Sequence, residues 1–266
     1  MSERVVLITG STDGVGRRLA EKLAAPGTQL LIHGRDERRG AEVVAAVERA
    51  GGPATFVPAD LASLAEVRTL ADTVLRTHDH LDTLVNNAGV SVPDGRRRES
   101  ADGFERHLAV NYLAPFLLTR LLLPVLGVER PSRVINVVSA AQSTVSFDDL
   151  MLRQRYSGSR AYGQSKLALG MLTLDLAGRH DPGRLSATCL HPGTFLDTTM
   201  VRAAGIPPAG SADDGAEAVR RLVRAEHAAR ITGRYFDRTR ESRMHPQAYD
   251  ADARARLRDM TERLLA

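Results

Sequence analysis

A single cysteine, Cys189, among 266 residues excludes an internal disulfide and a thiolate metal cluster. Its neighbours Ala187 and Leu190 read as a buried strand, so the thiol is not expected to act as a nucleophile. The eight histidines show no HExxH spacing, and no metal site is assigned. No G-x-S-x-G elbow occurs, which argues against a serine hydrolase. Internal repeats and low-complexity tracts are lacking. The chain passes from Met1-Ser2-Glu3-Arg4 straight into Val5-Val6-Leu7-Ile8, and no apolar run reads as reaching bilayer length. Neither a secretory leader nor a membrane partner is therefore expected, and the expected location is cytoplasmic. The charge excess is small, +4 from 36 Lys+Arg against 32 Asp+Glu. No aromatic residues interleave Arg38-Arg39 or Arg96-Arg97-Arg98, so these clusters read as solvated surface and no nucleic-acid partner is expected.

What is present is an alternation. Short β-branched runs precede longer helical patterns: Val5 to Thr9 then Gly16 to Ala25, Gln29 to His33 then Asp36 to Ala50, Thr55 to Ala59 then Leu64 to Arg76. Thr83 to Asn86, a helix around Phe104 to Leu123, Arg133 to Val138, a helix at Tyr162, Leu185 to Leu190, a helix near Ala212 to Arg224 and Gly233 to Phe236 continue it. Strands separated by helices build a parallel sheet covered on both faces. The expected fold is α/β: one Rossmann-type, doubly wound domain over residues 1–266, its seven-stranded parallel sheet flanked by helices. Ser63-Leu64-Ala65-Glu66 and Ser211-Ala212-Asp213-Asp214 read as capping boxes. Ala251 to Leu265 reads as a charged, amphipathic terminal helix.

The stretch Ala161-Tyr162-Gly163-Gln164-Ser165-Lys166 opens an amphipathic run through Leu167, Leu169, Met171, Leu172 and Leu176. On a helix Tyr162 and Lys166 share a face, where an ammonium beside a phenol favours phenolate and tunes the acid toward neutral pH. Tyr156 has Arg160 at the same spacing, but guanidinium barely titrates and Gly158 argues against a helix between them. Thr9-Gly10-Ser11-Thr12-Asp13-Gly14-Val15-Gly16 lies after a strand and opens a helix. Glycines there let the backbone approach a pyrophosphate, whose charge the helix N-terminus stabilises. Ser139 ends the Val134 to Val138 strand. Asn111 is a polar residue inside the apolar Leu108-Ala109-Val110-Asn111-Tyr112-Leu113.

Together these residues resemble the short-chain dehydrogenase/reductase family over nearly the whole chain. Thr9 to Gly16 matches its TGxxxGxG turn, Asp60-Leu61 its adenine-contacting pair and Asn86-Asn87-Ala88-Gly89 its NNAG motif. Pro192-Gly193 matches its PG turn after the sixth strand, and Asn111, Ser139, Tyr162 and Lys166 its catalytic tetrad. The resemblance implies cofactor contacts from Gly10, Ser11, Thr12, Asp13, Gly14, Val15, Gly16, Gly34, Arg35, Asp60, Leu61, Asn87, Ala88, Gly89, Tyr162, Lys166, Pro192, Gly193 and Thr194. It implies that Tyr162 gives a proton to a carbonyl oxygen, with Ser139 hydrogen-bonding that oxygen. Lys166 would lower the Tyr162 pKa and hold the nicotinamide ribose hydroxyls, and Asn111 would hold a water joining Lys166 to solvent. Ser157 and Ser159 lie closer to Tyr162 in sequence than Ser139 does, but read as loop before the helix.

The separation of Ser139 and Tyr162, 162 − 139 = 23 positions, exceeds the simplest family pattern. The additional segment around Thr144 to Met151 resembles the insertion of the retinol-dehydrogenase-like and carbonyl-reductase-like branches. Substrate loops are expected at about 90–98, 140–160 and 192–210. Phe147, Leu150 and Met151, with Val90, Val92, Pro93, Phe195, Leu196 and Met200, would surround a bulky, apolar carbonyl compound. The resemblance also implies a possible homodimer or homotetramer through the Asn111 and Tyr162 helices, although the long-loop branches include monomers.

The second strand ends His33-Gly34-Arg35-Asp36. A carboxylate there accepts the adenosine ribose hydroxyls of NAD, and a base there accommodates the phosphate of NADP. Gly34 stands at the family's NAD-selecting Asp and Arg35 at its NADP-binding Arg, so NADP(H) is favoured over NAD(H). Asp36 keeps NAD open if the strand runs longer. Asp13 adds an unhelpful negative charge, which Arg17 is expected to offset in part. The expected activity is NADPH-dependent reduction of a bulky ketone or aldehyde. The alternatives are an NAD(P)-dependent alcohol dehydrogenase acting on a steroid- or retinoid-like alcohol, and a non-catalytic NADP-sensing or scaffolding protein.

Overall fold

A computed structural model describes residues 3–92, 95–226 and 228–266. The elements run β1 (Arg4–Ile8), α1 (Gly14–Leu23), β2 (Thr28–Gly34), α2 (Glu37–Arg49), β3 (Ala54–Pro58), α3 (Leu64–Thr77) and β4 (Thr83–Asn86). Then come α4 (Arg106–Leu108), a π-helical segment (Ala109–Leu113), α5 (Ala114–Leu122), β5 (Ser132–Val137), α6 (Gly158–Arg179) and β6 (Leu185–His191). The last are α7 (Thr199–Ala203), α8 (Ala212–Val223), β7 (Arg234–Asp237), β8 (Arg240–Ser242) and α9 (Ala251–Leu265).

Among the described residues the strands form one sheet in the order β3-β2-β1-β4-β5-β6-β7-β8. The first seven strands are parallel, as the alternation predicts, but an eighth pairs antiparallel with β7, Asp237 facing Arg240. That strand, Arg240-Glu241-Ser242, is exposed throughout. A short charged edge strand has no apolar alternation to betray it. Alternate strand residues supply two cores. Val6, Ile8, Leu30, Ile32 and Ile135 meet Leu19, Val43 and Val219 of α1, α2 and α8. Leu7, Leu31, Leu84 and Val134 meet Leu70, Leu117, Leu167 and Leu257 of α3, α5, α6 and α9. Strand order reverses between β1 and β4, so the segments after these two strands flank the crevice where such sheets bind ligands.

The helix carrying Asn111 changes from α to π and back. Pro115 has no N–H to give the Asn111 carbonyl four residues back, and the helix widens there, Ala114 N–H reaching the Ala109 carbonyl instead. Arg106–Val125 is also long and apolar enough to cross a bilayer, which corrects the expectation that no run approaches that length. Its apolar window is 78% buried inside the protein, as in a core helix.

Three further expectations change. Helix α6 is buried on every side over Gly163–Thr173 rather than amphipathic. Ser157 is its N-cap and Ser159 lies in its first turn. Of the two capping boxes, that of Ser211 and Asp214 is complete. Ser63 accepts from Glu66 N–H, but the Glu66 carboxylate turns away to the backbone N–H of Asp60 at 2.6 Å.

The segment between Ser139 and α6 lies over α6 together with the chain's C-terminal part. Gln247 pairs both ways with the Val145 backbone at 2.7 and 3.1 Å, and Gln164 joins Ser146 N–H to the Leu150 carbonyl. Arg258 of α9 meets Asp175 at 2.7 Å, and Thr261 meets Tyr112 at 2.8 Å. This packing takes two residues expected at the substrate: Leu150 is buried in the core, and Phe147 lies under the Arg256 guanidinium at 4.7 Å.

Candidate active site

The glycine turn and the NNAG segment are clamped together. The Thr9 hydroxyl accepts from the N–H groups of Asn87 and Ala88, both at 3.0 Å, and the Asn87 side chain donates to the Thr9 and Gly10 carbonyls. Added Cβ atoms would lie 2.8 Å from Ala88 Cα at Gly10, where φ is +64°, and 2.3 Å from the Gly10 carbonyl at Gly16. These two glycines therefore admit the protein's own close packing. Ser11 is buried too, its hydroxyl donating to the Ile8 carbonyl. Asp13 caps α1, accepting from Gly14 N–H at 2.7 Å. Val15 packs against Gly215. His33, which the sequence reading did not single out, accepts the Gly10 N–H on Nδ1 at 3.0 Å. Burial holds its imidazole down at about 4, so it stays an acceptor.

Strand β2 ends at Gly34, and Asp36 is the N-cap of α2, accepting from Arg39 N–H at 3.0 Å. That removes the longer strand which would have offered Asp36 to a ribose. A Cβ on Gly34 would lie 2.5 Å from the Thr12 methyl, so a side chain there would require the Thr12 side chain to shift. Arg35 is 62% exposed and stands 3.5 Å from Asp60. Arg39, not Arg17, offsets Asp13, at 3.6 Å; Arg17 pairs with Glu21 and Glu42. Asp60 also accepts from Ala62 N–H, and Leu61 is a buried core residue.

The four residues of the tetrad come from three elements to one place. Ser139, two residues past β5, is fixed by Ala141 N–H donating to its Oγ at 3.1 Å, and its side chain favours the ionised form of the Tyr162 phenol. Lys166 Nζ, 4% exposed, lies 5.9 Å from the Tyr162 ring centre and donates to the Val137 carbonyl at 2.9 Å. Burial pulls this ammonium down to about 8. Burial also pushes the Tyr162 phenol up, outweighing the opposing influence of the Ser139 side chain. The expected tuning toward neutrality is thus not built into the protein alone, because the ammonium is turned to a backbone carbonyl. Asn111 uses its amide to accept from Val90 N–H at 2.8 Å and to donate to the Val90 carbonyl and Ser165 Oγ, both at 3.0 Å. Its side chain ties the segment after Gly89 to α6.

After β6, Gly193 has φ +144° and Thr194 Oγ1 meets His191 Nε2 at 3.1 Å, beside Pro192. Phe195 is 46% exposed with φ +46°, whereas Leu196 is buried against Gly193 and Gly215. Of the expected substrate residues, Val90, Val92, Met151, Phe195 and Met200 keep exposed surface, and Pro93 lies outside the described residues. Sequence reasoning also missed Glu105 and His107, both buried, with the His107 ring against that of Tyr162 and Glu105 paired to His107. Two polar residues entering an apolar helix were the available signal.

A nicotinamide dinucleotide suits these residues. The Lys166 ammonium carries three hydrogens and, among the described residues, one acceptor, which leaves donors for ribose hydroxyls. No group of His, Cys, Asp and Glu among the described residues is arranged to hold a metal. A doubly wound sheet, a dinucleotide crevice and a Ser-Tyr-Lys cluster define an oxidoreductase acting on alcohol and ketone groups.

The family model for short chain dehydrogenase matches residues 4–206, and the chain belongs to that family. It is similar to mouse (Mus musculus) polyprenol dehydrogenase, 46% identical over 214 residues covering 76% of this chain and 62% of that protein. It is 33% identical to human (Homo sapiens) retinol dehydrogenase 12, covering 98% of this chain and 86% of that protein. The solved structure of the angucycline C-6 ketoreductase LanV with bound NADP superposes with TM-score 0.70 at 28% identity, covering 88% of this chain and 93% of that one.

Proposed function

We propose that the protein is an NADPH-dependent carbonyl reductase working in the cytoplasm on a bulky, apolar ketone or aldehyde. The observation that carries this reading is the convergence of the Ser139 and Tyr162 hydroxyls beside the buried Lys166. Reduced nicotinamide, when bound, supplies hydride to the carbonyl carbon. Ser139 and Tyr162 donate hydrogen bonds to the carbonyl oxygen, stabilising the charge that grows there. The raised phenol pKa keeps Tyr162 protonated at neutral pH, the state a proton donor requires. As the phenol proton passes to oxygen, Lys166 stabilises the phenolate. Asn111 positions Val90 and Ser165, and the Ser165 hydroxyl holds the Tyr162 carbonyl at 2.7 Å.

Preference for NADP rests on Arg35, exposed at the end of β2, and on the loss of both carboxylate positions there. Bulky, apolar substrates are supported by Val90, Met151, Phe195 and Met200 around the cleft. The names of the relatives favour a second reading, oxidation of a long isoprenoid or retinoid alcohol. An assay of purified protein separates them: NADPH with aromatic and polycyclic ketones, quinones and aldehydes, and NADP+ with retinol and a polyprenol. Turnover in the first set alone supports the proposal, turnover confined to the alcohols supports the second reading, and turnover in neither set contradicts both.

A further inference from the structure

The residues buried beside Tyr162 include a polar chain that the reaction does not use. His107 is 0% and Glu105 1% exposed, both at the start of the helix that carries Asn111. Glu105 Oε2 accepts from Leu108 N–H at 2.8 Å, capping that helix. Glu105 Oε1 accepts from Tyr156 OH at 3.2 Å and faces His107 Nδ1 at 2.8 Å. Val92 N–H lies 3.0 Å from His107 Nε2. A backbone N–H can only donate, so Nε2 is the bare nitrogen and Nδ1 carries the hydrogen, given to Glu105. The His107 ring meets the Tyr162 ring edge-on, centres 6.3 Å apart and planes at 83°.

The chain therefore runs Val92 to His107 to Glu105 to Tyr156, with Tyr162 against its middle. Its two ends lie in the two segments that bound the cleft, the one after Gly89 and the one before α6. Arg97 links the same segments from outside, donating to the Met151 carbonyl at 3.3 Å. Apolar side chains would fill this space without the cost of desolvating a carboxylate and an imidazole. What they would not do is hold two loops at fixed distances, since directed hydrogen bonds specify position where apolar contact tolerates sliding.

We infer that His107 is a positioning residue that sets the width of the substrate cleft, holding Val92 against Tyr156 and the Tyr162 ring, with Glu105 as its anchor. This rests on the reading of the site as a carbonyl reductase, and it deepens it: the spacing of the two segments is preset by these hydrogen bonds rather than set by the substrate.

The test compares His107→Leu with His107→Gln, whose amide can accept from Val92 and donate to Glu105. In His107→Leu the KM for a polycyclic ketone rises about tenfold, with kcat and the KM for NADPH within about threefold of wild type; His107→Gln stays within about threefold throughout. Hydrogen–deuterium exchange gives an answer independent of turnover. His107→Leu speeds exchange in peptides covering 90–92 and 150–157, leaves 9–16 unchanged, and His107→Gln keeps the protection. Should wild type reduce no carbonyl compound, the functional reading fails and the exchange comparison still decides the positioning role. Unchanged exchange at 90–92 in His107→Leu, or equal losses in the Leu and Gln variants, overturns the inference.

Discussion

Thr12 and Gly34 compete for one volume: a Cβ on Gly34 would sit 2.5 Å from the Thr12 methyl and 2.6 Å from its hydroxyl. Thr12, four residues past β1, thus crowds any side chain placed at the end of β2, and Arg35 follows at the next position. Arg35→Ala is expected to raise the Kd for NADPH by roughly 10- to 100-fold, the range of a charge-assisted hydrogen bond, and to leave NADH within about threefold. Gly34→Asp is expected to weaken both cofactors rather than recruit NADH. Fluorescence titration of each variant with both cofactors checks this, and equal losses on Arg35→Ala contradict the phosphate role.

Lys166 costs the fold stability at neutral pH. Its folded pKa, about 8, lies below the ordinary lysine value, so between pH 8 and the unfolded value the unfolded chain holds the extra proton and stability rises with pH. Lys166→Met is expected to stabilise the protein by about 1–3 kcal/mol at pH 7, to flatten that rise, and to abolish turnover. Denaturant titrations at pH 7 and pH 10 measure it; a variant less stable than wild type at pH 7 contradicts the account.

Acid acts on His33. With its folded value near 4 and an unfolded value near the usual ~6.5, the unfolded chain takes the proton first. The stabilisation is complete above the unfolded value and is lost as pH falls toward 4, about 3 kcal/mol in all. His33→Asn, which can still accept from Gly10, is expected to lose markedly less stability than wild type between pH 6.5 and 4. Parallel losses in the two proteins would show that another group governs the acid limb.

Much of this architecture was legible in the sequence because the hydrophobic period changes with each element: Thr83–Asn86 and Ala251–Leu265 fall on the expected residues, and the tetrad converges from three elements. Less legible were features decided by tertiary packing. β8 has no apolar pattern, Phe147 and Leu150 look like cleft residues until α9 and its neighbours are in place, and the phenol's pKa depends on where Lys166 points. One sequence signal went unused. Lys22 and Lys166 are the only lysines, so of 36 Lys+Arg residues 36 − 2 = 34 are arginine, and Lys166 stands out in such a chain.

The outer faces of α6 and the Asn111 helix are covered by the chain itself, through Arg258–Asp175 and Thr261–Tyr112. Association of copies through these helices would require α9 to leave. Light scattering is expected to give one chain's mass, and removal of residues 251–266 to expose apolar surface and promote association. A dimer of the intact chain that α9 substitutions abolish would contradict this.

The most direct test of the central claim is NADPH oxidation with a reducible ketone by wild type and Tyr162→Phe, with NADPH affinity measured alongside. The account predicts turnover by wild type, a loss of at least about 1,000-fold in kcat for the variant, and NADPH binding within about threefold. Undiminished turnover by Tyr162→Phe would contradict the assignment of the proton donor.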